Sequence, residues 1–587
     1  MSEYRAPIDE MNFVVDQLHD LSALAQAVDN EDANAELLTA IIVESDKLAS
    51  QVWSPLNVTG DQQGVTLTAD GVKPADGYAD AYRQFAEGGW NSLYFDPQYG
   101  GQGLPFTMSM PVAEMAQASN MALGLCPMLT AGAIEAIHAH GSAQLKDVYL
   151  EKMISGEWTG TMNLTEPHAG TDLAVLKSTA TPAGDHFLIK GQKIFITWGD
   201  HDMTDNIVHL VLARLPDAPE GVKGISLFLV PKFLVNTDGS LGERNDAYAI
   251  NVEHKMGIHA SPTCVMSFGD NGGAVGYLVG QPNQGLVAMF TMMNNERLVV
   301  GLQGVALSDR SYQHALDYAR ERVQCVAPGQ AERGAIIHHP DVRRMLMTMR
   351  SLTEASRAVC YMTAVQIDLS HNATDPEQRA KARQRVGLLT PIAKGWSTEL
   401  SQEVTSHGVQ VHGGMGFIEE TGAAQHQRDA RILTIYEGTT GIQALDLVGR
   451  KTLSDKGAGM ASLVAEMRTD IADHGAALTA AQLAMLSEGV DALEQAYEKL
   501  LAESATDPML AGAISYDMLM LAGYVCGGWQ MMRSSVLVEN HENAVFAANK
   551  KVTAAYYLEH MLPRFKGCLA SIMAGSTSVM AITDDRL

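Results

Sequence analysis

The chain has 587 residues, 46% of them hydrophobic, and a formal charge of -27 from 68 acidic against 41 basic side chains. That length calls for about three or four domains, and that charge argues against a general binder of nucleic acid or anionic lipid. The six cysteines form no C-x-x-C pair, which excludes a disulfide scaffold or a zinc ribbon and suits a reducing cytoplasm.

The opening, MSEYRAPIDEMN, carries acidic residues and no apolar run, so no signal peptide is expected. Up to about residue 160 the chain reads as helical. Stretches such as MNFVVDQLHDLSALAQAV and NAELLTAIIVESDKLASQVW space their apolar residues by three and four. FDPQYGGQGLP breaks the pattern, and helix resumes from Met108.

Between residues 161 and 279 the texture changes. FLIKGQKIFITW, NIVHLVLARL, GISLFLVP, AYAINVEH, TCVMSFG and AVGYLVG are short runs rich in β-branched and aromatic residues, separated by Gly, Pro, Asp and Asn. They predict a compact β domain. Helix returns from Gly285 to about Arg450, a polar stretch follows at 453–459, and a last helical region ends near Ala581. The most apolar late run, 518–529, is short and interrupted by glycine, so no membrane span is expected and the protein reads as soluble. The predicted fold is mainly α with a central β domain. Its expected units are 1–160, helical; 161–283, β; 284–452, a helical bundle; and 464–587, a helical extension.

This order disfavours two nucleotide folds. A doubly wound dinucleotide domain needs strand–G-x-G-x-x-G–helix in alternating βαβ units. The chain has no such motif, no phosphate loop and no G-x-S-x-G elbow, and its strands are bunched together. The histidine pairs His138 and His140, His338 and His339, and His407 and His412 lack ligand-spaced partners, so no metal site is expected. The 31 methionines, including Met345-Leu346-Met347-Thr348-Met349, read as core packing.

Three segments carry the chemistry. Asn163-Leu164-Thr165-Glu166-Pro167-His168-Ala169-Gly170-Thr171-Asp172 is a turn whose N–H groups and hydroxyls suit a polar heterocycle or a pyrophosphate. By itself it is equally an ordinary turn. Gly191-Gln192-Lys193-Ile194-Phe195-Ile196-Thr197 lies about one strand later. The third, QVHGGMGFIEETGAAQHQRDARILTIYEGTTGIQ, holds Gly413, Gly414 and Gly416, where backbone can approach a ligand or simply turn. In it Glu437 follows the apolar run Ile432-Leu433-Thr434-Ile435-Tyr436 and precedes Gly438-Thr439-Thr440-Gly441. Desolvation there would raise its pKa toward that of a general base. A carboxylate ahead of a helix starting near Thr440 fits the local pattern as well.

Together the T-E-P-x-A-G-T-D segment, the Q-x-x-G-G turn and the Y-E-G-T segment closely resemble the acyl-CoA dehydrogenase family, over about residues 108–450. The resemblance implies a helical N-terminal domain, a barrel-like β domain and a helical bundle, with the C-terminal helices as an addition. It implies FAD as cofactor and conversion of an acyl-CoA thioester to the trans-2-enoyl-CoA. Glu437 would remove the α-proton while flavin N5 accepts the β-hydride. The flavin ring would lie against Met162, Leu164 and Thr165, with Gly170, Phe195 and Thr197 nearby and Thr171 touching flavin or substrate. Gln410, Gly413 and Gly414 would bind the adenine end of FAD from the neighbouring subunit. Thr439 would meet its phosphates, and Arg322 would join these contacts. Asn294 and Arg297 would lie near the CoA nucleotide, and Gly438 beside the substrate.

The sequence departs from the family pattern at four places. Phe195 stands where Trp is frequent, and Asn294 where an acidic residue is. Val323-Gln324-Cys325-Val326 follows Arg322 in place of R-x-x-F-G, and Pro340 replaces a glutamine. The changes after Arg322 fall on the inter-subunit adenine contacts and leave the reacting centre intact.

The opening Tyr4-Arg5-Ala6-Pro7 and Met11-Asn12-Phe13, with the helical tail after Leu453, resemble a long bacterial subgroup of the family. Its substrates include 3-(methylthio)propanoyl-CoA and straight-chain acyl-CoAs, so a short or medium acyl chain is expected. Electron-transferring flavoprotein is the implied acceptor. The added helices favour a homodimer over a tetramer. An oxygen-using acyl-CoA oxidase is the first alternative. A DNA-binding flavoprotein relative is the second, disfavoured by the acidic tail.

Overall fold

A computed structural model describes residues 4–587, except for the side chains of Met292, Asn294 and Asn540. Contacts divide the chain into two units. One contains Met1–Val43, Pro105–Glu114 and Arg297–Leu587 and is helical. The other contains Glu44–Leu104 and Met115–Glu296 and carries the main sheet. The fold is that of a mainly helical protein with a β domain in the middle of the chain, as expected.

In the sheet unit, seven strands run in the spatial order Ala247–Val252, Thr263–Phe268, His186–Thr197, Ala274–Val279, Ile225–Pro231, Asn206–Arg214, Trp158–Asn163. An eighth, Thr179–Ala183, pairs antiparallel with His186–Thr197 and touches Asn206–Arg214. All six β-rich runs of the sequence form strands. Trp158–Asn163 lies in parallel beside Asn206–Arg214 and straddles residue 160, where the sequence reads as helix giving way to sheet. The hairpin Thr66–Thr68 and Gly71–Lys73 also lies in a stretch read as helical.

Strand alternation builds two cores, because successive side chains point to opposite faces. Val208, Leu210, Leu212, Leu227 and Leu229 pack with Ile134, Ile137, Leu150 and Met153. Val211, Ala213, Phe228 and Val230 pack with Ile189, Ile196, Cys264 and Phe268. Both faces of the central strands are therefore covered. That is why those runs read as continuously apolar.

The helical unit is organised around the antiparallel helices Pro340–Asn372 and Pro376–His412. Asp375 caps the second through the N–H of Glu377 at 2.9 Å, with Pro376 in its first turn. The helix ending at Glu321 lies directly on its backbone. A Cβ on Gly301 would stand 2.6 Å from the carbonyl oxygen of Ala393, and one on Gly304 2.7 Å from that of Ser397. Glycine is required for that approach. Met345 and Met349 are buried in this core, as the sequence suggests.

The apolar run at 518–529 belongs to a helix far longer than its composition indicates, Leu510–Leu537. This helix and Phe106–His140 are long and apolar enough to cross a membrane, correcting the expectation that no segment is. Their most apolar windows are 72% and 83% buried, as in core helices of a folded domain. The last helix closes at Ala574, short of the expected end near Ala581.

Candidate functional site

The candidate residues fall in both units, and each set is built by its own unit. In the sheet unit, Trp158–Asn163 delivers Met162, Leu164 and Thr165 to a turn clamped from beneath by Glu166. That carboxylate accepts from the Lys177 N–H at 2.6 Å, the Ser178 N–H at 3.0 Å, the Ser178 hydroxyl at 2.6 Å and Lys193 Nζ at 2.8 Å. Burial would raise the Glu166 pKa, but Lys193 and these donors hold it below its ordinary value. Lys193 also donates to the Leu164 carbonyl at 3.0 Å, and the Ile194 N–H to that of Thr165 at 2.9 Å. The turn is thus fastened to the long strand. Gly170 and Thr171 are left exposed, and Met162, Leu164 and Thr165 half-buried.

Phe195 owes its position to a register shift. Met266 pairs with Lys193 and Cys264 with Ile196, so Ile194 and Phe195 together oppose Val265. The extra residue is a β-bulge. It lets both Lys193 and Ile196 turn inward, while Phe195 takes φ 61° and is 60% exposed. A left-handed backbone at an aromatic residue is strained, and such strain marks sites that present a side chain. Thr197 follows, half-buried. At the strand end before Leu164, Asn163 is fully buried and its Oδ1 has no hydrogen-bond partner.

In the helical unit, Glu437 and Gly438 are consecutive left-handed residues, at φ 53° and 88°. They link the 3-10 turn Arg431–Thr434 to the helix Thr440–Leu445, whose N-cap is Thr439, accepting from the Ile442 N–H at 3.2 Å. The helix starts where the sequence puts it. Burial raises the Glu437 pKa above 4.5, and the cations of Arg297 and Lys394 oppose that rise. Arg297 is 7% exposed, faces Asp446 at 3.8 Å, and has its Nε unpartnered.

Two residues that hold this turn were given no role by the sequence. Lys394, fully buried, donates to the carbonyls of Leu433 at 2.8 Å and Gly438 at 2.7 Å. Gln443 donates to those of Glu437 and Gly438, each at 3.3 Å, and keeps a buried, unpartnered Oε1. A single lysine inside the apolar run LLTPIAKGW was the available signal for the first. Gln443 gave none.

Gln410 is exposed at the end of the helix Pro376–His412, which Gly413 closes at φ 60°. No atom lies within 4 Å of a Cβ placed on Gly413 or Gly414, so that face is open. Met415, Phe417 and Ile418 next to it are 50%, 84% and 46% exposed. Arg322 is exposed at the base of a small loop closed by Val323 opposite Ala335. Asn294 falls within the helix Gly285–Glu321, but its side chain lies outside the described residues.

The residues present fit a flavin nucleotide. An exposed aromatic on a strained bulge and an orphaned buried amide suit a ring with polar edges. The open glycine pair suits close approach by a nucleotide.

Family models match most of the chain: acyl-CoA dehydrogenase N-terminal domain at 67–157, middle domain at 161–271, C-terminal domain at 283–453, and acetyl-CoA dehydrogenase C-terminal like at 463–583. The 3-methylmercaptopropionyl-CoA dehydrogenase of Ruegeria pomeroyi is 44% identical over 95% of this chain and 96% of its own. A butyryl-CoA dehydrogenase of Syntrophomonas wolfei is 35% identical over 92% of each. The crystal structure of an acyl-CoA dehydrogenase complexed with FAD from Bacillus anthracis superposes with a TM-score of 0.72 at 20% identity, covering 96% of this chain and 91% of that one. That last likeness is one of fold.

Proposed function

Because the chain belongs to the acyl-CoA dehydrogenase family, we propose that Glu437 is the base that removes the α-proton of an acyl-CoA thioester. The activity is FAD-dependent α,β-dehydrogenation. The observation that carries the assignment is the Glu437 turn. A carboxylate on a strained, left-handed backbone is buried enough to be basic, yet faces two cations that keep its charged form accessible. A group so balanced can take up a weakly acidic proton and release it afterwards.

FAD, when bound, supplies the acceptor for the two electrons that leave with the β-hydrogen. The chain's own residues position and shield. Phe195 offers an aromatic face to the flavin ring, and Met162, Leu164, Thr165 and Thr197 border it. Gly170 and Thr171 line the exposed turn beside them. The N–H of Glu437 serves the thioester oxygen as the enolate forms, an oxyanion-hole role. Thr439 and Gly438 complete that turn. Arg297, buried beside Glu437, is better suited to tuning the base than to a contact far out on the nucleotide. Gln410, Gly413, Gly414 and Arg322 take the adenine end of FAD from a second copy of the chain. Met415, Phe417 and Ile418 give that copy an apolar surface to cover.

The substrate is a short linear acyl-CoA, with 3-(methylthio)propanoyl-CoA first. The named substrates of the two relatives above are both short and unbranched, and a thioether sulfur occupies nearly the space of a methylene. Electron-transferring flavoprotein is the acceptor, the assembly is a homodimer, and the six free cysteines suit a cytoplasmic location.

The test is anaerobic bleaching of bound flavin by a panel of acyl-CoAs, with Glu437→Gln beside the wild type. Rapid bleaching lost by at least ~10²-fold in the variant supports the base assignment, and the fastest substrate fixes the chain preference. Equal rates in both proteins would remove Glu437 from the mechanism. Oxygen uptake during turnover would replace the flavoprotein acceptor with oxygen.

A further inference from the structure

We infer that Lys394 is a positioning residue for the reaction, holding the turn that presents Glu437 and setting the pH at which that base is competent. The inference rests on Glu437 being the base. Its geometry is independent of that reading. The Lys394 ammonium bridges the carbonyls of Leu433 and Gly438, one before and one after the carboxylate, at 2.8 and 2.7 Å. It is fully buried and fixed from behind by the glycine-mediated contact of Gly301 and Gly304 with Ala393 and Ser397. Gln443 also donates to the turn, but through longer, neutral hydrogen bonds at 3.3 Å.

Charge follows from the same placement. The groups facing Lys394 are Glu437 from the turn, Arg297 from the helix Gly285–Glu321, and Glu399 from its own helix. Behind them, Asp446 and Arg450 flank Arg297, and Tyr516 of the helix Leu510–Leu537 faces Glu399. Burial brings Lys394 down to about 7, and the two carboxylates work against that fall. In return its charge lowers the pKa of Glu437, which burial has raised. Removing the ammonium therefore leaves Glu437 protonated to higher pH.

The experiment is the pH profile of kcat and KM for FAD-loaded wild type, Lys394→Gln, Lys394→Arg and Glu437→Gln, with flavin content checked in each. In Lys394→Gln the acid limb of kcat moves up by about one pH unit, so that kcat on the acid side of the limb falls by up to ~10-fold, the effect expected of losing an opposite charge. KM should stay within about threefold, because the residue does not touch substrate. Lys394→Arg, which keeps the charge, should return the limb toward its wild-type position. A wild-type limb in Lys394→Gln, with Glu437→Gln inactive, overturns the inference. An active Glu437→Gln overturns the base assignment instead.

Should Lys394→Gln fail to fold, the same coupling is read from the other side. Carbon-13 labelled lysine, assigned by Lys394→Arg, is titrated in wild type and in Glu437→Gln. Coupling is reciprocal, so the Lys394 midpoint must fall by about one pH unit when the Glu437 charge is removed. Equal midpoints overturn the inference.

Discussion

Lys193 donates to Glu166 at 2.8 Å while its same ammonium holds the carbonyl of Leu164 at 3.0 Å. Both side chains are almost wholly buried, 0% and 2% exposed. Burial brings the Lys193 pKa down to about 8, and Glu166 limits the fall. The pair is charged at neutral pH, and it ties the 164–178 turn to the strand that bears Phe195. Glu166 of the first segment and Lys193 of the second are thus one fastening.

Lys193→Met should therefore leave Glu166 as a buried carboxylate without its cation. Breaking a buried pair from one side costs about 3–5 kcal/mol, and the loss should appear in thermal unfolding of the flavin-free protein. Flavin affinity should fall as well, because the Leu164 carbonyl is no longer anchored by the ammonium. The double variant Glu166→Leu with Lys193→Met should recover at least half of the stability, since no lone charge remains. A double variant as unstable as Lys193→Met would show that packing around the ammonium, and not charge, holds the turn.

Phe195 makes a prediction of opposite sign. Its left-handed backbone costs about 1 kcal/mol relative to glycine, and its 60% exposed ring returns little packing. Phe195→Gly should leave the flavin-free protein as stable as wild type or better, whereas Phe195→Ala keeps the strained backbone and should be less stable than the glycine variant by about 1 kcal/mol. Both should bind FAD more weakly, and Phe195→Trp should retain binding. Equal unfolding midpoints for Gly and Ala would mean the φ of 61° is not adopted in solution.

How these features compare with what the sequence offers depends on the range of the interactions. The run NIVHLVLARL is legible because β-branched residues and flanking turns are local signals. WTGTMN is not, since one short run of mixed polarity becomes a strand only by pairing with Asn206–Arg214. Glu437 is legible as a candidate from its neighbours, and its motif selects it. Its cations are not, because Arg297 and Lys394 come from two helices remote in sequence and meet it only after folding. The bulge at Phe195 is equally silent, for register is set by the partner strand.

In the helical unit, Arg357 grips Glu114 through Nε at 2.9 Å and Nη2 at 2.7 Å, with Asp309 at 3.4 Å and the Tyr361 hydroxyl closing the group. Burial raises the Asp309 pKa to about 6 even with Arg357 beside it. Arg357→Met should cost about 3–5 kcal/mol at pH 8 by stranding two carboxylates. A carboxyl whose folded pKa lies above its unfolded value binds protons on folding, so stability is gained as pH falls through the folded pKa. The deficit of Arg357→Met should accordingly shrink between pH 8 and pH 5. A deficit independent of pH would assign the loss to packing.

Glu135 isolates the same linkage in the sheet unit without a cation. Its two oxygens accept from the Tyr94 hydroxyl at 2.9 Å and from Asn295 Nδ2 at 2.8 Å, and burial raises its pKa from 4.5 to about 7. Above pH 7 the folded protein must keep this carboxylate ionised in an apolar setting, at full cost. Between 7 and 4.5 the folded state takes up a proton that the unfolded state does not, and the cost disappears. At about 1.4 kcal/mol per pH unit, the rise from 4.5 to about 7 sets an upper limit of about 3 kcal/mol. Glutamine fits the same partners, donating to the Tyr94 oxygen and accepting from Asn295. Glu135→Gln should therefore raise the unfolding temperature at pH 8, with the gain fading toward pH 5. A gain that is the same at both pH values would show that Glu135 does not titrate between them, and a loss at pH 8 would show that its charge is stabilised by its neutral donors.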